Sequence, residues 1–201
     1  MKEQYKGYTI KIEEDTDPSN PRTDRDNLGT MVCFHSRYDL GDKHDYKQSN
    51  FNSWAELRQA LVRDQDPAVI LPLRLYDHSG ISMSTSTTYP YNDQWDSMQV
   101  GFIYVSKEKV RKEYSKKAIS KKLKEKVTTY LVGEVETYDQ YLRGDVYGYS
   151  ISKKDEDLDS CWGYYGDECC LEEAKSVVDY YVNKDFELNG KQLDLFEVRY
   201  E

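Results

Sequence analysis

Apolar positions recur along this chain with a period of two in some stretches and nearer four in others, and the changes of period mark its elements. Tyr8-Thr9-Ile10-Lys11-Ile12 alternates after Gly7 and predicts a first strand. Residues 15–27 are dense in Asp, Pro, Asn and Arg and predict a loop, followed by a second strand over 28–37. Ser53-Trp54-Ala55-Glu56 is a capping box, and Trp54, Leu57 and Leu61 then share a helical face at i, i+3 and i+7. Asp66-Pro67 closes that helix, because a residue before proline is driven out of the helical region. The run Ala68-Val69-Ile70-Leu71-Pro72-Leu73-Arg74-Leu75-Tyr76 predicts a central strand buried on both faces. Further strands are expected over 80–86 and 97–105, separated by a Ser/Thr-rich loop.

Ser106 can cap a short helix carrying Val110 and Tyr114. A longer helix follows, with Ile119, Leu123, Val127, Tyr130 and Leu131 on one face and Gly133 as its terminator. The period then returns to two: 135–141, 146–152 and 160–165 predict an antiparallel meander, with a charged turn over 153–159. A rival reading makes 138–143 a short helix behind Thr137-x-x-Gln140. Asp167 opens a last helix with the face Leu171, Ala174, Val178 and Tyr181, and 192–200 is expected as a closing strand. The class is α+β, with mixed or antiparallel sheets and amphipathic helices on one face. Its expected organisation is two sequential halves, 1–106 and 134–201, joined by a basic helical connector over 107–133.

With 38% apolar residues and 32% charged ones the core looks thin, but 19 Tyr, 5 Phe and 3 Trp supply large side chains that bury well. A folded protein is therefore expected, in one or two domains. Neither an apolar leader nor a bilayer-length apolar run is visible, so a soluble, cytoplasmic protein is the expectation. Cys33, Cys161, Cys169 and Cys170 form no C-x-x-C pair and suggest reduced thiols. The formal charge of −9 is unevenly spread. Residues 107–126 hold ten basic and three acidic side chains, whereas 134–201 hold seven basic and eighteen acidic ones. Such asymmetry speaks to partners and not to fold.

Candidate chemistry is sparse. His35, His44 and His78 with Asp45 and Asp77 are metal-ligand types, yet their spacing matches no ligand motif. Asp77 and His78 are adjacent on one strand and point to opposite faces, which works against a triad. Trp95 and Asp96 lie near the end of a neighbouring strand. The acidic run 155–159 lacks the glycine and closing glutamate of a calcium loop, and no phosphate-binding glycine motif is present.

Asp26-Asn27-Leu28-Gly29-Thr30-Met31, Leu75-Tyr76-Asp77-His78-Ser79-Gly80-Ile81, Trp95-Asp96-Ser97, Gln99-Val100-Gly101-Phe102-Ile103-Tyr104-Val105 and Tyr147-Gly148-Tyr149 form a distinctive pattern. Over about residues 5–182 it resembles a family of accessory proteins of bacteriophages and integrated mobile elements. By context, that resemblance implies a host-defence antagonist of the anti-CRISPR or anti-restriction type, without catalytic residues to transfer. The expectation is a non-enzymatic, stoichiometric inhibitor of a host nuclease or ribonucleoprotein complex in the bacterial cytoplasm, needing no cofactor and no metal. Its expected contacts are Asp155, Glu156, Asp157, Asp159, Glu172 and Glu173, with Lys116, Lys117, Lys121, Lys122 and Lys124 available to nucleic acid. The alternative is a small metal-dependent or hydrolytic enzyme around Asp77, His78, His35, His44, Trp95 and Asp96.

Overall fold

The computed structural model describes residues 1–78, 80–86, 97–154 and 156–197, the side chains from 185 onward excepted. They form two compact units, Ser19–Arg143 and Met1–Pro18 with Gly144–Glu201, each α+β. The sequential division at 106 and 134 is thus replaced by one in which the two ends of the chain fold together.

In Ser19–Arg143 the strands are β3 (Thr30–Cys33), β4 (Pro67–Asp77), β5 (Ile81–Ser84) and β6 (Ser97–Ser106), in antiparallel order β3-β6-β4-β5. The pleat sends Val32, Phe102 and Tyr104 to one face, where Leu57 and Leu61 of α1 (Trp54–Gln65) cover them. It sends Met31, Val69, Leu73, Leu75 and Ile103 to the other, against Val127, Leu131 and Val135 of α3 (Lys121–Arg143). Helices therefore pack on both faces of this sheet, not on one. That arrangement explains the unbroken apolar run in β4, which alternation would otherwise have interrupted. Ser53 caps α1 as its sequence predicts, accepting from the Glu56 N–H at 3.3 Å; the Glu56 carboxylate reaches back to the Asn52 N–H at 2.8 Å. Ser106 likewise caps α2 (Lys107–Glu113) by accepting from the Lys109 N–H at 3.1 Å.

The expected end of α3 at Gly133, and the strand expected over 135–141, are both overturned. The helix runs on to Arg143, and Gly144, at φ 71°, follows its end. An interior glycine costs about 1 kcal/mol relative to alanine. Burying Val135 and Tyr138 on the stripe begun by Val127 and Leu131 is worth about 1.5–3 kcal/mol per side chain, so tertiary packing wins. The Tyr138 hydroxyl is also used, accepting from the Gly41 N–H at 3.1 Å.

In the other unit β1 (Lys2–Tyr5), β2 (Tyr8–Glu14), β7 (Val146–Lys153) and β8 (Glu156–Tyr165) form an antiparallel sheet in that order. Tyr8, Ile10, Ile12, Tyr149 and Ile151 line one face and bury Cys170, Ala174 and Val178 of α4 (Asp167–Glu197). The turn expected over 153–159 is shorter than predicted, because β8 already begins at Glu156. The strand expected over 192–200 is helical as far as Glu197. No helix among the described residues is long and apolar enough to cross a membrane.

All four cysteines are free, Cys33 and Cys170 buried and Cys161 and Cys169 exposed. Burial pushes the Cys33 thiol up to about 12 and the Cys170 thiol up to about 11, which removes the reactive thiolate at neutral pH. An alkylating reagent added to the native protein should modify two thiols rapidly and the other two only on unfolding. Leu73 is fully buried, so Leu73→Ala should lower unfolding free energy by about 2–5 kcal/mol in a denaturant melt.

Candidate functional site

The loop before β3 is built around a buried cation. Asn20 Oδ1 accepts from the Arg22 N–H at 2.9 Å, and the Asn27 side chain donates to the Pro21 carbonyl at 2.8 Å, so the loop folds on its own side chains. This sends the Arg22 guanidinium inward, where its side chain is only 1% exposed. There Nε and Nη2 donate to the two Asp42 oxygens at 2.9 and 2.6 Å, Nη1 donates to Glu134 Oε2 at 3.0 Å, and Nη2 also reaches the Gly29 carbonyl at 2.9 Å. Glu134 completes the cluster by accepting from the N–H groups of Leu28 at 2.6 Å and Gly29 at 3.1 Å, and Asp42 accepts from that of Met31 at 2.8 Å. Burial alone would lower the Arg22 pKa, but Asp42 and Glu134 outweigh it and hold the guanidinium above its ordinary value. The charge is therefore permanent, and the cluster ties loop, β3 and α3 into one wall.

That wall borders two grooves along α3. One, of about 430 Å³, is lined by Pro21, Asp26, Asn27, Thr129, Tyr130, Gly133 and Thr137 among others. The second, of about 420 Å³, is lined by Asp26, Asn27, Leu28, Lys109, Glu113, Tyr114 and Tyr130. Tyr130 belongs to both and is 50% exposed. The expected basic residues Lys116, Lys117, Lys121, Lys122 and Lys124 lie in the α2–α3 connection and the first turn of α3, outside the lining of these grooves. Lys121 faces Glu125 at 4.0 Å; Lys116, Lys117, Lys122 and Lys124 make no ion pair among the described residues. The first turn of α3 contains no acid, so this positive charge stands where the helix dipole opposes it.

Among the other expected acidic contacts, Asp155 lies outside the described residues. Glu156 and Asp157 are exposed on β8, the edge strand of its sheet, while Asp159 is half-buried and accepts from the Tyr181 hydroxyl at 3.2 Å. Glu172 and Glu173 are exposed on α4. Lys175 bridges to Glu3 of β1 at 2.8 Å, which sets that flank of α4 over β1 and turns Glu173 toward β8. Glu172 falls on the solvent side, away from the β8 acids.

A residue that the charge pattern does not single out lies farther along the same strand. Gly163, at φ +88°, allows a bulge in β8 opposite Gly148, and the bulge lays the Trp162 indole across Gly148. A Cβ on Gly148 would sit 2.1 Å from the ring, so only glycine lets the indole lie flat on the backbone. Trp162 remains 50% exposed on the sheet face that α4 leaves open, among Thr9, Lys11, Ser150 and Ser160. Glycines inside alternating strands, in Tyr147-Gly148-Tyr149 and Trp162-Gly163, were the signal in the sequence.

Of the histidine and aspartate set, His35 and His44 line one pocket together with Tyr38, which lies between His35 and Asp77. The Asp77 carboxylate is engaged by the Arg37 guanidinium and, at 3.4 Å, by the Tyr38 hydroxyl. His35 Nδ1 accepts the N–H groups of Arg37 and Tyr38, both at 3.2 Å, and its ring stacks on Tyr38. His44 directs Nε2 to the Cys33 carbonyl at 3.1 Å, and His78 lies by Tyr76. Trp95 and Asp96 fall outside the described residues. Among the described residues no three His, Cys, Asp or Glu side chains gather closely enough to hold a metal ion.

The chain matches no protein-family model, and no curated protein or solved structure matches it.

Glu134→Ala would leave Arg22 Nη1 and two backbone N–H groups without their acceptor. Removing one member of a buried ion pair costs about 3–5 kcal/mol, and a loss of that size should appear in chemical denaturation.

Proposed function

We propose that this chain is a non-enzymatic binding protein that occupies a basic surface of a nucleic-acid-handling partner, acting as a stoichiometric antagonist of a host defence nuclease. The reading is carried by Trp162, an exposed indole seated on Gly148 on the sheet face that α4 leaves open, with the carboxylates of Glu156 and Asp157 farther along the same edge strand. Aromatic side chains fixed before binding, surrounded by polar residues, are the usual anchors of protein interfaces, because little rotamer freedom remains to be lost. Glu156 and Asp157 supply charge complementary to the basic channels in which nucleases hold their substrates. Leu158, also exposed on β8, adds apolar area next to them. The likeness to accessory proteins of phages and mobile elements supports the choice of a defence enzyme as target.

The reading requires saturation and not turnover. Nuclease complexes recovered from a bacterial lysate on the immobilised chain would be titrated with it, and inhibition should saturate near one chain per complex. Gly148→Ala, which displaces the indole, should weaken inhibition about tenfold or more with the melting midpoint retained, as loss of an interface anchor commonly does. Glu156→Lys with Asp157→Lys should slow association and reduce its dependence on salt. Full inhibition far below one chain per complex would mean catalysis and would overturn the proposal.

A further inference from the structure

The basic, tyrosine-bearing stripe of α3 is a site that the docking surface around Trp162 does not use. Lys122, Lys126, Tyr130, Gly133 and Thr137 follow one another at i, i+4, i+8, i+11 and i+15, so they share one line on the helix. At 1.5 Å per residue the line spans about 22 Å. Three features of it have no structural explanation within Ser19–Arg143. Unpaired lysines crowd a helix N-terminus, where the dipole favours anions. Tyr130 leaves half of its surface in water although it lines two grooves. Gly133 weakens the helix, yet a Cβ there would meet nothing within 4 Å, so no packing within the protein requires it. Breaches of local preference without a gain in packing mark positions where something else makes the contact.

We infer that this stripe binds single-stranded nucleic acid, with phosphates on the lysines at the start of α3 and a base stacked on Tyr130 above Gly133. The charge identifies a polyanion, and the helix N-terminus adds backbone donors to the lysine field. The tyrosines identify bases: Tyr130 is bare, and Tyr114, with Lys126 Nζ 5.2 Å from its ring centroid, lines the same groove. Asp26 and Glu113 put carboxylates in that groove. They repel phosphate and accept hydrogen bonds from exocyclic amino groups, which keeps the strand's backbone on the lysine side. The loop carrying Pro21, Asp26 and Asn27 walls the stripe on one flank, and a groove of about 430 Å³ suits one strand rather than a duplex. The inference does not depend on a protein partner and survives if the docking proposal fails.

The test is fluorescence anisotropy on the full chain with a labelled mixed-sequence 15-nucleotide single strand (roughly one binding site of this kind), its duplex, and sedimentation with vesicles containing phosphatidylglycerol. The single strand should bind at low salt and weaken steeply as salt rises, while duplex and vesicles bind far less. Tyr130→Ala should weaken the single strand about fivefold or more and leave the salt slope unchanged. Lys122→Ala should reduce the slope by about 0.7. Gly133→Ala is the control for folding: it should raise the melting midpoint and still weaken binding, a pair of effects that a merely structural role cannot produce. No binding of the single strand at low salt, equal binding of duplex or vesicles, or a silent Tyr130→Ala would each overturn the inference.

Discussion

The Arg22 guanidinium, buried between Asp42 and Glu134, is the constraint on which the larger unit depends. A guanidinium out of water is tolerable only where its donors find acceptors, and Arg22 meets that condition through two carboxylates and the Gly29 carbonyl. The carboxylates use their remaining capacity on the N–H groups of Leu28, Gly29 and Met31. A loop of a dozen residues without regular structure is thereby fixed to β3 and α3. The α3 grooves exist because that loop stands as their wall.

The second unit solves a different problem, that of displaying an indole in water without letting it collapse. Gly163 permits the bulge and Gly148 removes the side chain that would lift the ring. Both glycines sit in strands, where they cost stability. The return is a flat aromatic surface on an edge strand, with acids on that edge to discourage pairing with copies of itself. The chain thus contains two surfaces of opposite sign, each with its own aromatic residue.

Much of this was legible in the sequence. The capping box of α1 and the apolar run of β4 are local signals, and both elements lie where those signals place them. The uneven distribution of lysines and acids was also visible, but Trp162 and Tyr130 were not singled out by it. What stayed hidden depends on distance or on small energies. Arg22 meets Asp42 twenty positions away and Glu134 a hundred and twelve away. Nothing in a loop rich in Asp, Pro and Asn announces either partner. Gly133 read as a stop because its local cost is visible, whereas the burial of Tyr138 that offsets it is not. Strand β1 was missed because its side chains are exposed or half-buried and show no apolar alternation. The Lys6-Gly7 pair, both at positive φ, joins it to β2 in a tight hairpin turn.

Hydrogen exchange measured on Glu134→Gln tests the central claim most directly, since glutamine keeps the shape and removes the charge that pairs with Arg22. If the buried cluster fixes the loop, the amides of Leu28 and Gly29 should lose protection, while those of β4 and β6 exchange as slowly as before. Protection unchanged at Leu28 and Gly29 would contradict the account, because the loop would then be held by something other than this cluster.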